Sequence, residues 1–262
     1  IDWVWRIPFL VGGLIGIVGY WIRRNLDDPE EYKEATRIAK FESPLRAVAR
    51  FGWKPILHVA MILPVQTVGA YLILGFMYTF LVKQVGLPST TALFANAGAI
   101  LVYATGYLIG GMLSDRIGRK KVLTGAAVWI AFLAYPAIRI VSGGTLSDAL
   151  LGQALIAIGV GTYSGACFTA AVEFFPTAFR ATGHAIAYQC TVAILGGTTP
   201  LVAAYLVSKF GSPMAPAYYV TAIAAICVIL IQFVPETKHV SLRTATDGPF
   251  ETPDPALVRA LR

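Results

Sequence analysis

Charged residues are scarce in this sequence. Of its 262 residues, 13% are Asp, Glu, Lys or Arg and 56% are hydrophobic, whereas ordinary soluble domains carry about 25% charged residues. So few charges cannot cover a surface that faces water on every side. The composition therefore excludes an ordinary soluble protein and indicates that lipid surrounds much of the chain.

Residue patterns that carry out covalent chemistry are also missing. The cysteines Cys167, Cys190 and Cys227 lie far apart inside apolar stretches, without the spacing of a metal site or a disulfide framework. The sequence contains no Gly-rich phosphate loop and no Ser-His-Asp arrangement in a recognisable context. We therefore expect no enzyme activity, no cofactor and no metal site.

The sequence does contain long stretches without any charged residue. A helix needs about 20 mostly apolar residues to cross the hydrocarbon core of a bilayer. Seven stretches reach that length, the first of them if Trp3–Trp5 lie at the interface, so we predict an all-α membrane protein with seven spans. The stretches are Ile7–Ile22, Pro55–Val82, Gln84–Ser114, Val122–Ile138, Ala149–Val172, Ala181–Ser208 and Phe210–Pro235.

Lys and Arg residues fall mostly on one side of this predicted topology. Seventeen of the 21 lie in residues 23–54, in the loop at 116–121, at Arg180 or in the tail, and only four lie on the other side. The positive-inside rule then predicts a cytoplasmic C-terminus in a cytoplasmic (inner) membrane. This distribution also explains the net charge of +7, so we expect no nucleic-acid partner.

Residues 23–54 form the one substantial hydrophilic segment between predicted spans. We predict four parts. Residues 1–22 are the last helix of an otherwise absent N-terminal bundle, and residues 23–54 are a cytoplasmic inter-bundle loop with a helix on the membrane surface. Residues 55–235 are a six-helix bundle, and residues 236–262 are a disordered cytoplasmic tail. The odd number of spans and a first residue other than Met predict that the chain is a fragment whose N-terminal half is missing.

A charged loop stands between the third and fourth predicted spans. It reads Gly111-Met-Leu-Ser-Asp115-Arg116-Ile-Gly118-Arg119-Lys-Lys and resembles the cytoplasmic loop signature of the major facilitator superfamily. Gly111 allows two helices to approach closely, and Gly118 permits a tight turn. Asp115 lies at a helix end, where it can pair with Arg or face the N-terminus of another helix.

Two further charged segments lie on the same predicted side. Glu173-Phe-Phe-Pro-Thr-Ala-Phe-Arg180 and Pro235-Glu236-Thr-Lys resemble the corresponding turn and ending of many facilitators. We interpret the charged groups as one gating network. The alternative is a set of separate interfacial charges without coupling. The predicted network comprises Gly111, Asp115, Arg116, Gly118, Arg119, Glu173, Arg180 and Glu236.

Shorter pieces are similar to the metabolite:H+ symporter family within that superfamily, from its sixth span to its twelfth. The resemblance implies import of an organic acid or a zwitterionic osmolyte with a proton, through a six-helix C-terminal bundle preceded by one helix. A sugar facilitator or symporter of the same superfamily and a non-transporting sensor on the same fold are the alternatives. The pieces are Trp5–Leu10, Phe174–Thr177, Arg180–Gly183, Gly196–Val202 and Ala215–Tyr219.

Polar residues inside spans are costly and are therefore candidates for function. Each also has a structural explanation, because Tyr sits in interfacial belts, Thr bonds its own helix, and Asn or Gln bonds a neighbouring helix. The predicted substrate-binding residues are Gln66, Tyr71, Asn96, Tyr163, Tyr188 and Gln189. They lie on the second, third, fifth and sixth spans, which the resemblance assigns to the wall of a central cavity.

No Asp or Glu occurs in the middle of any predicted span. If protons drive transport, the titrating acid therefore lies in the missing half, with the small-molecule substrate and the lipid bilayer as the other partners. The spacings Gly106-x-x-x-Gly110 and Gly161-x-x-x-Gly165 predict close helix packing instead of a ligand site. His184 follows Arg180 closely and is a further candidate for the gate.

Overall fold

The computed structural model describes residues 3–26, 44–177 and 179–238. These residues form helices and no β-strand, as expected for long apolar segments, because only a helix satisfies its own backbone hydrogen bonds in lipid. The helices are α1 (Ile7–Asn25), α2 (Pro44–Phe51), α3 (Trp53–Val85), α4 (Ser89–Ile117), α5 (Arg119–Val141), α6 (Leu146–Glu173), α7 (Arg180–Phe210) and α8 (Ala215–Ile231).

Five of these helices, α3 to α7, are long and apolar enough to cross a membrane. The predicted all-α membrane fold is confirmed. The seventh predicted span corresponds to α8, a shorter apolar helix of 17 residues. The first corresponds to α1, a helix of 19 residues that is not among those five. Most of the predicted inter-bundle loop and tail, residues 27–43 and 239–262, lies outside the described residues.

Glycine brings α4 and α6 into close contact. A Cβ atom added at Gly161 would collide with the carbonyl oxygen of Tyr103, and one at Gly165 with that of Tyr107. From the other side, a Cβ at Gly110 would collide with the backbone of α6. The packing predicted from the two Gly-x-x-x-Gly spacings is confirmed, and it holds the two helices side by side along most of their length.

Helices α3 and α7 each depart from regular α-helical geometry. π-Helical turns interrupt α3 at Leu72–Phe76 and Leu81–Val85, and α7 at Val192–Gly196. A π-helical turn holds an extra residue and is frequent at functional sites. The α7 turn packs beside the residue that precedes the first α3 turn, because a Cβ on Gly196 would lie 2.9 Å from the ring of Tyr71. No pattern in the sequence indicated these turns.

Helix α2 lies within the segment predicted as a loop and packs on the bundle. Its Ala47 and Val48 side chains are buried, and it contacts the first parts of α3 and α7. At this same end of the bundle α4 ends and α5 begins, α6 ends and α7 begins, and α8 ends. The charged residues of the predicted gate therefore converge there.

Replacing Gly165 by Ala is expected to separate α4 and α6, because the added methyl group meets backbone atoms that cannot rotate away. The expected loss of unfolding free energy is about 1–3 kcal/mol, measured by denaturant unfolding in mixed micelles. Gly125→Ala is the matched control, since nothing lies within 4 Å of its Cβ position. It should be neutral or slightly stabilising. Equal effects of the two substitutions would contradict the packing account.

Candidate functional site

A buried ion pair occupies the end of the bundle where the charged segments converge. Arg119, the first residue of α5, donates from Nε to Glu173 Oε2 at 3.1 Å and from Nη2 to Glu173 Oε1 at 2.9 Å. Both side chains are about a tenth exposed (10% and 11%). Two parallel hydrogen bonds between a guanidinium and a carboxylate form a strong and directional pair. It joins the start of α5 to the end of α6.

The remaining donors of Arg119 reach the end of α4. Nη1 donates to the carbonyl oxygen of Ser114 at 2.9 Å and lies 2.9 Å from Asp115 Oδ1. On the other side of the pair, the Thr237 hydroxyl donates to Glu173 Oε2. Arg119 and Glu173 therefore connect the ends of three helices and the segment that follows α8.

Glu236 caps the first turn of α5. Its Oε1 accepts from the Arg119 backbone N–H at 2.9 Å, and its Oε2 accepts from the Lys120 backbone N–H at 3.1 Å. A carboxylate is favoured there, because the first N–H groups of a helix have no partner within the helix and carry the positive end of its dipole. Gly118 permits this contact: its φ is +106°, and a Cβ on it would lie 2.6 Å from Glu236 Oε2.

These contacts form one connected unit, which we name the charge clasp. It consists of Asp115, Gly118, Arg119, Glu173, Glu236 and Thr237. Sequence reasoning selected five of these residues and missed Thr237, whose single hydroxyl gives no signal beside the flanking charges. It included Glu236 in the network as a charged group, whereas the closest contacts of Glu236 are backbone N–H groups, which the identity of a residue does not reveal.

The other residues of the predicted network lie beside the clasp. Arg180 donates from Nε to the carbonyl oxygen of Phe175 at 3.0 Å and from Nη2 to Thr177 Oγ1 at 2.9 Å, which braces the turn between α6 and α7. Arg116 is exposed, and its carbonyl oxygen accepts from Lys238 Nζ at 2.6 Å. The backbone of Gly111 lies against Gly165 on α6.

Three of the predicted substrate-binding residues, Gln66, Asn96 and Tyr163, are buried within the bundle. Tyr163 is fully buried, and its hydroxyl donates to the carbonyl oxygen of Ile62 at 2.6 Å, which joins α6 to α3. Gln66 is 5% exposed, and its Oε1 accepts from the Thr67 hydroxyl at 3.1 Å. Asn96 is 7% exposed, and its side-chain oxygen has no hydrogen-bond partner among the residues that the structure describes. The contact of Tyr163 is one that helix packing alone explains.

The other three predicted substrate residues, Tyr71, Tyr188 and Gln189, are more exposed than these. Tyr71 is 37% exposed, Tyr188 is half-buried and Gln189 is exposed. Tyr71, Tyr188 and Gln189 therefore have side-chain surface available to a ligand.

Tyr188 belongs to a continuous group of rings from neighbouring helices. The Phe168 ring lies 5.5 Å from that of Tyr188 and 5.9 Å from that of Tyr107, both tilted by about 40°. His184 stacks on Tyr188 at 5.8 Å and 17°. Tyr103 donates from its hydroxyl to Ser164 Oγ on α6 at 3.2 Å, and the Tyr71 ring of α3 lies against Gly196 of α7. We name Tyr71, Tyr103, Tyr107, Phe168, His184 and Tyr188 the aromatic face.

The aromatic face draws on α3, α4, α6 and α7, the four helices that sequence reasoning assigned to a cavity wall. All six of its side chains are partly exposed. Sequence reasoning missed Tyr107 and Phe168, because an aromatic residue inside an apolar stretch looks the same whether it faces lipid, the core or a cavity. Tyr103 and Ser164, whose hydroxyls hydrogen-bond at 3.2 Å, are 61 residues apart in the sequence. A separation of that length gives no sign that side chains of α4 and α6 lie close together here.

A separate cavity of about 320 Å³ lies between α4, α5 and α6. Leu113, Trp129 and Ile158 are among its mostly apolar lining residues, and Thr162 and Lys121 supply polar groups. None of the predicted substrate-binding residues lines it. It is therefore distinct from the aromatic face.

A bundle of apolar helices with a charge clasp at one end agrees with the architecture that the loop signature predicted for a member of the major facilitator superfamily. The chain matches the sugar (and other) transporter family over residues 23–247 and belongs to it. The predicted superfamily is thus confirmed. The family and the relatives below carry the names of transporters, not of enzymes, as the sequence predicted.

Several curated transporters are similar in sequence to this chain. The chain is 31% identical over 249 residues to the ectoine/proline transporter ProP of Corynebacterium glutamicum, covering 91% of this chain and 49% of that protein. It is 30% identical over 249 residues to the citrate-proton symporter of Klebsiella pneumoniae, covering 93% and 55%. It is 28% identical over 232 residues to a putative proline/betaine transporter of Staphylococcus aureus, covering 88% and 50%. The chain thus spans about half the length of these relatives.

Arg119→Lys tests the geometry of the clasp at constant charge. Lysine cannot reproduce the two parallel hydrogen bonds to Glu173, so we expect a loss of about 1–3 kcal/mol of unfolding free energy, measured by denaturant unfolding in mixed micelles. Arg116→Lys, the same substitution on the exposed side chain three residues earlier, is the control and should change it by less than about 0.5 kcal/mol. If Arg119→Lys leaves the unfolding free energy unchanged, the bidentate pair contributes little to stability.

The Glu236 cap predicts a pH dependence of stability. Partial burial raises the pKa of the Glu236 carboxyl, but hydrogen bonds from the backbone N–H groups of Arg119, Lys238, Lys120 and Thr237 lower it, and the net pKa is below its ordinary value of 4.5. A depressed folded-state pKa contributes stability that is complete above the unfolded value and disappears as pH falls through the folded value. The stability difference between the wild type and Glu236→Gln should therefore be constant from pH 7 to about pH 5.5 and shrink below pH 4.5. A difference independent of pH down to pH 3 would contradict the cap.

Proposed function

We propose that this chain is the C-terminal bundle of a secondary transporter that carries a small organic metabolite together with a proton. The metabolite is an organic acid or a zwitterionic osmolyte, the substrate classes named for the relatives and implied by the metabolite:H+ symporter resemblance. One observation carries the proposal. Polar and aromatic side chains from four membrane helices form one partly exposed group, in a bundle whose one end is fixed by the charge clasp.

The aromatic face is suited to a water-filled cavity and unsuited to lipid. Polar groups exposed to hydrocarbon cost several kcal/mol each when they are left unpaired, and the aromatic face holds four tyrosine hydroxyls and an imidazole. A second bundle opposite this face would enclose these groups in a cavity near the midplane, as alternating access requires. We propose that an N-terminal bundle supplies that second wall.

The charge clasp is proposed to act at the cytoplasmic gate. Arg119 and Glu173 fix the ends of α4, α5 and α6 as one unit, while the Asp115 side chain is 67% exposed despite its contact with Arg119. We propose that Asp115 meets the opposite bundle when the cytoplasmic side closes, and that Arg116 and Arg180 support the same closed state. The ends of the bundles can then separate without unfolding the clasp.

Proton coupling in this proposal depends on the N-terminal bundle. The charge-free stretches of this chain contain no carboxylate to take up and release a proton within the membrane. We therefore assign the titrating acid to the opposite bundle and substrate contacts to this one, with Tyr71, Tyr188 and Gln189 as the most accessible of the predicted substrate residues.

Uptake measurements test the proposed function. Cells that express the chain together with the N-terminal half of the C. glutamicum relative should accumulate one of radiolabelled proline, glycine betaine, ectoine or citrate, and a proton uncoupler should abolish the accumulation. Arg119→Ala should abolish uptake without loss of membrane insertion. Uptake of glucose alone would support the sugar alternative, and the absence of any flux would support a sensor. Saturable uptake by the chain alone would indicate a homodimer of bundles.

The proposed orientation places the clasp end in the cytoplasm. In a background without Cys167, Cys190 and Cys227, single cysteines at Arg50 and Arg116 should react with an impermeant maleimide only in inside-out vesicles. A single cysteine at Lys209, which lies at the other end of α7, should react only in intact cells. Labelling of the cysteines at positions 50 and 116 from opposite sides of the membrane would contradict the proposed topology.

A further inference from the structure

We propose that the aromatic face binds the ammonium end of the substrate through cation–π contacts. The substrate class would then be a zwitterion with a substituted ammonium group, in preference to an organic polyanion or a sugar. This inference rests on the proposed transport function and specifies the site and the chemical group that the site selects.

The first reason is the arrangement of the rings. Phe168 lies between Tyr107 and Tyr188, with ring centroids at 5.9 and 5.5 Å and interplanar angles of 41° and 43°. Rings tilted in this way cannot cover one another's faces fully. All three side chains are half-buried, so ring surface is accessible beside a packed support. The negative faces of such rings attract a cation within about 6 Å of their centroids.

The second reason is the absence of formal charge at this position in the chain. Each ring of the aromatic face lies in a stretch without Asp, Glu, Lys or Arg. A polyanion such as citrate would therefore find no cationic side chain on these stretches, and desolvating its carboxylates without compensation is costly. An ammonium group substituted with methyl or ring carbons is weakly hydrated, and ring faces can replace its water.

The third reason is an imidazole nitrogen beside the rings that lacks a hydrogen-bond partner. His184 Nε2 is buried and has no hydrogen-bond partner in the described part of the chain, residues 3–26, 44–177 and 179–238. His184 stacks on Tyr188 at 5.8 Å. Because Nε2 is itself buried, a ligand carboxylate could accept from it only after the His184 side chain turns outward, in the tautomer protonated at Nε2. A short zwitterion could thus place its ammonium group against the rings and its carboxylate toward His184.

Ordinary core packing is the competing explanation of these rings. The pair Tyr135–Tyr218, on α5 and α8, provides an internal comparison, because its rings lie at 5.6 Å and 38°. It has the same pairwise geometry as Phe168–Tyr188, but it lies on two helices that contribute nothing to the aromatic face. A role in packing predicts the same consequences for a change in either pair. A role in binding predicts different ones.

Two compounds of the same shape, one with and one without a positive charge, test whether the site recognises the charge itself. Glycine betaine and 3,3-dimethylbutanoate differ only in that a neutral carbon replaces the quaternary nitrogen. Binding of both to the chain paired with the N-terminal half of the C. glutamicum relative, in lipid nanodiscs, would be measured by competition against radiolabelled betaine, for the wild type, Tyr188→Leu, Tyr188→Phe and the control Tyr218→Leu. Circular dichroism and thermal unfolding would verify that each variant is folded.

The expected result is a loss of affinity for betaine without a matching loss of affinity for dimethylbutanoate. The wild type should bind betaine more tightly than dimethylbutanoate, and Tyr188→Leu should weaken betaine by about 2- to 30-fold while leaving dimethylbutanoate nearly unchanged. Tyr188→Phe keeps a ring face and should retain most of the affinity, and Tyr218→Leu should have no effect. Equal affinity for the two probes, equal losses of both in Tyr188→Leu, or no detectable betaine binding would each overturn the inference.

Failure of this inference is distinguishable from failure of the proposed function. If the uptake assay shows flux of citrate or glucose that does not depend on Tyr188, transport stands and the ammonium site is wrong. If the paired bundles carry none of the substrates, the proposed function is wrong whatever the binding data show.

Discussion

An arginine and a glutamate that are both about nine-tenths buried depend on each other. Removing either charge from water costs several kcal/mol, and only a close, well-oriented partner offsets that cost. Arg119 and Glu173 meet this condition with two hydrogen bonds, at 2.9 and 3.1 Å. Because the two residues stand at the start of α5 and the end of α6, burying them fixes the relative positions of these helices. Ser114, Asp115 and Thr237 then attach the neighbouring segments to the same two side chains.

The rest of the bundle extends from that fixed end. Glycine contacts hold α4 against α6 along their length, and the Tyr163 hydroxyl joins α6 to α3 through the Ile62 carbonyl at 2.6 Å. These contacts are rigid, whereas α3 and α7 carry π-helical turns where they meet beside Tyr71. The molecule thus combines a bundle end fixed by the charge clasp, the closely packed helices α4 and α6, and two helices, α3 and α7, with π-helical turns.

The sequence predicted the helical membrane fold and most of the clasp, because both have simple causes. Charge-free stretches of sufficient length have one stable form in lipid, and charges confined to the segments between them collect at the bundle ends. Prediction failed where backbone atoms carry the interaction. Glu236 binds backbone N–H groups, and the acceptor for Tyr163 is a carbonyl group, so neither contact has a residue signature. The π-helical turns and the grouping of Tyr107 with Phe168 also depend on tertiary packing that a single sequence does not record.

A double-mutant cycle on the buried pair tests the central claim most directly. Arg119→Met, Glu173→Met and the double variant would be unfolded by denaturant in mixed micelles and compared with the wild type. The account predicts that each single substitution lowers the unfolding free energy by about 3–5 kcal/mol, because it leaves an unpaired buried charge. The double variant should be more stable than the sum of the single losses implies, with a coupling energy of at least about 2 kcal/mol. Losses that add to within about 0.5 kcal/mol would show that the two charges do not depend on each other and would contradict the account.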